Sequence, residues 1–328
     1  KQSNSKCTMG AVMNNLSLTA CSIWIREKNP SKKNTVNIVN LNKKIKGKKK
    51  EYDDFFDLLK DFCEKYSRKF VLNDYEQKMF KVETDNIIVE ENEKFRYTYI
   101  DINSGGYGIE ANIVNTKTNK ILYTRKKEHA ETIHFRVFFA VPKGDDTCKG
   151  IIIFQNIGQY GIKTITTDYL RKFINDELNL YTTTGNICPQ VFVKKLLDNN
   201  GLMKIIYTRN NISNDKADTD TMGYGKEERI IAGFSNIKKW KEMISGYFNG
   251  NSRIYEFEDI DYSGVKFVTS IYGRTRTINI NNINNLSIIE GIPDEVTNSF
   301  GDIDDQKLKE HFIKVTKEYL EHMVYNKI

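Results

Sequence analysis

The sequence predicts an α+β fold: an antiparallel β-meander with flanking helices, then a smaller C-terminal α+β region ending in a long amphipathic helix. Three observations carry this expectation. Residues 95–165 alternate apolar and polar side chains with the period of two that marks half-buried strands. Apolar stripes of helical spacing stand before and after that stretch. Helices and strands do not alternate as regular βαβ units, so a parallel sheet is not expected. The chain has 328 residues, 39% of them hydrophobic and 28% charged, enough apolar material to bury a large core and outside the disordered class. No apolar run approaches the ~18 residues of a membrane-spanning helix.

Taken in order, residues 16–25 and 34–41 read as short strands separated by a basic turn at residues 28–33. Within the first, Leu18-Thr19-Ala20-Cys21 has the form of the short box that precedes a bacterial lipidated cysteine. Asn14 and Asn15 interrupt the apolar segment such a signal needs, so the strand reading is preferred and the chain reads as cytoplasmic. A lysine run follows at residues 43–50. Phe55, Leu58, Leu59, Phe62 and Tyr66 then trace one face of a helix over residues 52–66, with Asp53 and Asp54 at the positive end of its dipole. The acids Glu90, Glu91 and Glu93 suit a surface connection.

In the meander, Ile109, Ala111 and Ile113 alternate with Glu110 and Asn112. Ser104-Gly105-Gly106 supplies a turn before this strand and residues 115–119 a turn after it. Ile133, Phe135, Val137, Phe139 and Val141 share a face, Pro142-Lys143-Gly144 closes that strand, and residues 151–154 supply a buried neighbour. Helices are expected over residues 166–178 and 189–197, the second with Pro189 in its first turn, where a missing N–H costs nothing. Residues 209–227 are polar and aperiodic, which reads as a linker or mobile loop between a region 1–208 and a region 228–328. Beyond it come a helix over 237–248 and strands over 253–260, 265–271 and 274–280. The final helix, 305–325, carries the stripe Leu308, Phe312, Val315, Tyr319 and Met323, with Asp302, Asp304 and Asp305 at its start.

Five cysteines (Cys7, Cys21, Cys63, Cys148, Cys188) form no CxxC pair and no zinc spacing, so neither a disulfide scaffold nor a metal site is expected. Serine-hydrolase elbow, P-loop, HExxH and EF-hand signatures are absent, and no cofactor is expected. Gly105-Gly106-Tyr107-Gly108 lies between strands, without the helix N-terminus that a dinucleotide pyrophosphate requires. His129, His134, His311 and His322 read as surface or satisfied histidines.

Charge is more informative. The net charge is +7, yet residues 1–50 hold twelve basic side chains and one acid, which leaves the other 278 residues at −4. A basic end on a mildly acidic body points to a polyanion. Lys43, Lys44, Lys46, Lys48, Lys49 and Lys50 are the candidate phosphate contacts. After a turn at Tyr272-Gly273, Arg274 and Arg276 fall on one strand face about 7 Å apart, a spacing that suits neighbouring phosphates or a bidentate base contact. Tyr107, Tyr160 and Tyr272, each followed by glycine, are placed to stack on unpaired bases. The competing reading is plain: glycine makes the turns, and the lysines are a solvated face.

The leading expectation is a nucleic-acid-binding protein, DNA and RNA not distinguished. The setting considered for it, a sensor or subunit of a bacterial mobile-element or phage-defence system, rests on no particular residue. The alternative is a metal-dependent nuclease using Asp74, Glu76 and Lys78, the chain's single Glu-x-Lys triplet, or the pair Asp259 and Asp261. A third reading is a structural subunit whose C-terminal helix docks a protein partner or a second copy. No membrane partner is expected.

Overall fold

The computed structural model describes residues 16–28, 35–41, 51–187, 201–210, 226–234, 237–248, 256–257, 260–271, 274–280, 286–297 and 303–322. In the N-terminal half these form β1 (Leu16–Arg26), α1 (Phe55–Ser67), β2 (Val71–Asn73), β3 (Lys78–Val82), β4 (Glu90–Glu91), β5 (Phe95–Gly106), β6 (Ala111–Val114), β7 (Ile121–Arg125), β8 (Glu131–Pro142), β9 (Lys149–Ile157) and β10 (Tyr160–Gly161). Next come α2 (Lys163–Leu178), β11 (Tyr181–Asn186), β12 (Leu202–Asn210), β13 (Lys226–Ala232) and α3 (Ile237–Phe248). The chain continues through β14 (Glu256–Phe257), β15 (Ile260–Asp261), β16 (Gly264–Ile271), β17 (Arg274–Ile280), β18 (Leu286–Gly291) and α4 (Asp305–His322).

One 14-stranded antiparallel sheet organises the molecule, in the order β13-β12-β16-β17-β18-β1-β9-β8-β5-β3-β2, with β10, β11 and β4 attached beside it. The expected α+β class is the observed one. The central strands bury both faces, and the pleat sorts their side chains. Phe135, Val137, Phe139, Ile152, Phe154, Cys21 and Ile23 enter a core under α1 and α2. Their neighbours Phe138, Ala140, Ile151, Ile153, Leu18 and Ala20 enter a second core under α4. There Phe138 stacks on Phe312 with ring centroids 5.3 Å apart. Cys21 is thus a buried mid-strand residue, and burial pushes its thiol up to about 11.

Local chemistry explains where the helices begin. Asp54 caps α1 by accepting from the amides of Phe56 and Asp57 at 2.8 and 2.9 Å. The stripe of α1 expected from its spacing is buried in full, as are Leu308, Phe312, Val315 and Tyr319 of α4. The apolar stripe of α4 therefore packs on its own chain, along the described part of the helix.

Several expectations change. Residues 35–41 make only a bridge from Thr35 to Arg26 rather than a strand. Ser104-Gly105-Gly106 is the end of β5 rather than a turn; a Cβ on Gly105 would stand 1.6 Å from the carbonyl oxygen of Glu131, so only glycine lets β5 and β8 approach this closely. Ile113 is not half-buried: β6 and β7 form a separate two-stranded ribbon, with Ile121 and Leu122 60% and 64% exposed. The ends of the expected linker or loop at 209–227 belong to the hairpin β12–β13 at one edge of the sheet, Arg209 pairing with Glu227 and Asn210 with Lys226, while residues 211–225 lie outside the described residues. The regions on either side of this segment share that sheet, because β1 pairs with both β9 and β18. The helix expected over 189–197 and most of the strand over 253–260 lie outside the described residues.

Candidate functional site

The arginine hairpin has the geometry of a core. Arg274 and Arg276 are 7% and 0% exposed. Alternation on β17 puts them on the face that carries Ile278 and Ile280, and the register sets Arg276 directly opposite Glu290 on β18. Glu318 of α4 closes the group from above. Arg274 meets Glu290 at 2.5 Å and also contacts Glu318; Arg276 donates to Glu318 at 2.8 Å. Two guanidinium groups face two carboxylates, so the charge balances within the cluster. Burial lowers the Arg274 pKa, while burial raises that of Glu290 against the opposing pull of Arg276 and Arg274. Beside them His311 is buried, and desolvation, then Arg274, Lys314 and Arg276, hold its pKa down at about 4. The expected contact of Arg274 and Arg276 with phosphates is corrected accordingly: both side chains are enclosed and engaged by carboxylates. Glu290 and Glu318 were not legible as their partners, since each comes from an element with its own, unrelated pattern.

A second place gathers residues that the sequence had suggested separately. An open cleft of about 450 Å³ lies where the ends of β3, β5 and β8 meet the segment leading into α2, with Lys78, Ser104, Tyr107, Arg125, Glu131 and Tyr160 on its wall. Gly108, at φ +90°, turns the chain from Tyr107 into the β6–β7 ribbon, and its amide donates to the Lys127 carbonyl at 2.8 Å. The ribbon therefore rises from the cleft wall. Its side chains Lys117, Lys120, Lys126 and Lys127 are all exposed.

The cleft's polar groups hold one another in place. The Tyr107 hydroxyl donates to Asp74 at 2.7 Å, a bond that raises the phenol pKa. Lys78 pairs with Glu76 at 3.1 Å. Arg125 pairs with Glu131 at 3.2 Å and donates through Nε to the Ile109 carbonyl, also at 3.2 Å. Tyr160 is 51% exposed and presents an open ring. Three candidates from two different readings, Lys78, Tyr107 and Tyr160, thus share one concavity. Ser104, Arg125 and Glu131 had not been singled out; the one available signal was the basic triplet Arg125-Lys126-Lys127 at the end of a short strand pattern.

Asp74 and Glu76 serve Tyr107 and Lys78 in this arrangement. Among the described residues, no group of three or more His, Cys, Asp or Glu side chains is placed to hold a metal ion. Asp259 lies outside the described residues, as does the side chain of Asp261. Lys43, Lys44, Lys46, Lys48, Lys49, Lys50 and Tyr272 also lie outside them. No described helix is long and apolar enough to cross a membrane. No family model matches this chain, and neither a curated protein nor a solved structure does.

Proposed function

We propose that this protein binds nucleic acid through the face formed by the cleft and the β6–β7 ribbon. The observation that carries the reading is the meeting of tyrosine rings and cationic side chains at one concavity, Tyr107 and Tyr160 with Lys78 and Arg125, at the foot of a ribbon bearing four exposed lysines. Aromatic faces stack on bases of any sequence, and exposed ammonium groups follow a phosphate backbone. The lysine run at residues 43–50 supports the same reading by its charge alone. Stacking favours unpaired over paired strands, since only splayed bases reach a tyrosine ring set in a cleft.

A salt titration of binding to labelled single- and double-stranded oligonucleotides tests this. The single strand is expected to bind more tightly, with affinity falling along a log–log slope of about 0.7 per phosphate contact. Tyr160→Ala should weaken single-strand binding by about 1–3 kcal/mol, the value of one stacked base. An absence of binding to either form at low salt would overturn the reading.

A further inference from the structure

We propose that the cleft is a pocket for a phosphorylated nucleotide, its phosphate held at the N-terminus of α2 and by the Ser104 hydroxyl. The inference takes the nucleic-acid reading as its starting point and adds what the cleft itself selects.

Two independent features of the chain point to an anion there. The first is the start of α2. This helix of 16 residues has Ile162 as its N-cap, with no side-chain hydrogen bond to the cap, and no acidic residue in its first turn. An isoleucine cannot accept from the free amides, so the positive end of the helix dipole is left without the counter-charge that helices usually carry. α1 shows the contrast: Asp54 caps it and Asp57 stands in its first turn. The segment leading into α2 (Gln159, Tyr160, Gly161 and Ile162) lines the cleft, so the uncapped end and the cavity are contiguous.

The second feature is Ser104. It lies on β5, on the same face as Ile100 and Ile102, and only 2% of it is exposed. It lines the cleft, and among the described residues its hydroxyl makes no hydrogen bond. The residue is buried but its oxygen stays open to the cleft, so a ligand or water there is what completes it. Phosphate oxygens accept from hydroxyl and helix-terminal N–H groups alike. The rest of the wall suits a nucleoside: Tyr160 offers an exposed ring, Ile109 and Ile133 offer apolar surface, and Glu131 offers an acceptor for an exocyclic amine. Of the charged side chains on the wall itself, Lys78 and Arg125 outnumber Glu131, while Glu76 and Asp74 stand off the wall, engaged by Lys78 and by the Tyr107 hydroxyl.

The chemistry, a nucleoside carrying a phosphate, has two sources: a free mononucleotide, or the phosphorylated end of a strand. Binding is therefore measured by calorimetry for adenosine and uridine 5′-monophosphates against their nucleosides, and for 5′-phosphorylated against 5′-hydroxyl oligonucleotides. Two variants probe the site. Ser104→Ala removes the hydroxyl with little loss of volume. Thr164→Glu, at an exposed position in the first turn of α2, places a carboxylate where it favours the helix and repels a phosphate.

The phosphorylated ligand is expected to bind at least ~10-fold more tightly than its phosphate-free counterpart, the range of a hydrogen bond to a charged group. That ratio should collapse in both variants, while Thr164→Glu melts no lower than the parent. A ratio seen with oligonucleotides makes the strand end the source; a ratio seen only with mononucleotides makes the free nucleotide the source. Equal binding of phosphorylated and unphosphorylated ligands, or a ratio unchanged in both variants, overturns the pocket. The nucleic-acid reading survives that failure if oligonucleotides still bind in a salt-dependent way, and it falls separately if none does.

Discussion

Two hairpins of this protein carry clusters of cationic side chains, and the fold uses them in opposite ways. In β16–β17 the cations are Arg274 and Arg276, enclosed against Glu290 and Glu318. In β6–β7 they are Lys117 and Lys120 at the turn and Lys126 and Lys127 just past β7, all exposed, with Arg125 largely enclosed at the base beside Glu131. The sequence made the first pair look like the better phosphate clamp, because arginines at i and i+2 share a strand face. What separates the two hairpins is what lies above them. β17 sits inside the sheet between β16 and β18 with α4 across its face, whereas β6 and β7 pair only with each other. A cation on a hairpin becomes structural when carboxylates from distant segments close over it, and stays available when nothing covers it.

Breaking the buried cluster should have the largest effect. Arg276→Ala leaves Glu290 and Glu318 short of a partner in the interior, at a cost of about 3–5 kcal/mol. Urea denaturation measures it, and a variant with the parent's midpoint would mean that the two hairpins do not differ as described. Acid should act on the same cluster. The His311 pKa is about 4 in the folded chain against 6.5 for the ordinary side chain, so the unfolded chain binds the extra proton first. Stability is full above pH 6.5 and falls as pH drops towards 4, by about 3 kcal/mol at the end of that window. Comparing pH–stability curves of the parent and His311→Leu isolates this share; parallel curves would remove it.

At the base of the other hairpin, Arg125→Gln breaks a pair whose glutamate is largely exposed, so the loss should be no more than about 1 kcal/mol. Smallest of all is the effect of changing Lys117, Lys120, Lys126 and Lys127 together to Gln. Stability should move by less than about 0.5 kcal/mol. The same variant should flatten the salt slope of oligonucleotide binding by up to about 3, if all four lysines meet phosphates. A large drop in melting temperature would show that the ribbon belongs to the core after all.

Much of the fold was legible because it is written in local periodicity. The stripe from Phe55 to Tyr66, the alternation from Ile133 to Val141, the strand over 274–280 and the stripe of the last helix all recur where they were expected. Periodicity misled where it says nothing of neighbours. Ile113 and Phe135 alternate alike with polar residues, yet one stands on an uncovered ribbon and the other under α1 and α2. Of the candidate site, Tyr107 and Tyr160 were noticed as tyrosines before glycine and Lys78 as part of a Glu-x-Lys triplet, two unrelated reasons. Nothing in their spacing, up to 82 positions apart, could show that they share a cleft. Ser104 had no signal at all, because one serine before two glycines reads as a turn.

By itself the sequence determined the α+β class, the positions of most helices and central strands, and the separation of a basic N-terminal segment from a mildly acidic remainder. These follow from side-chain period and charge counts, which are properties of neighbours along the chain. Only the tertiary structure decided which cations face solvent, that the strands on both sides of 211–225 join one sheet, and that tyrosines from two connections meet beside an uncapped helix. Those outcomes depend on contacts between residues far apart in the chain, whose desolvation and pairing energies no local pattern records.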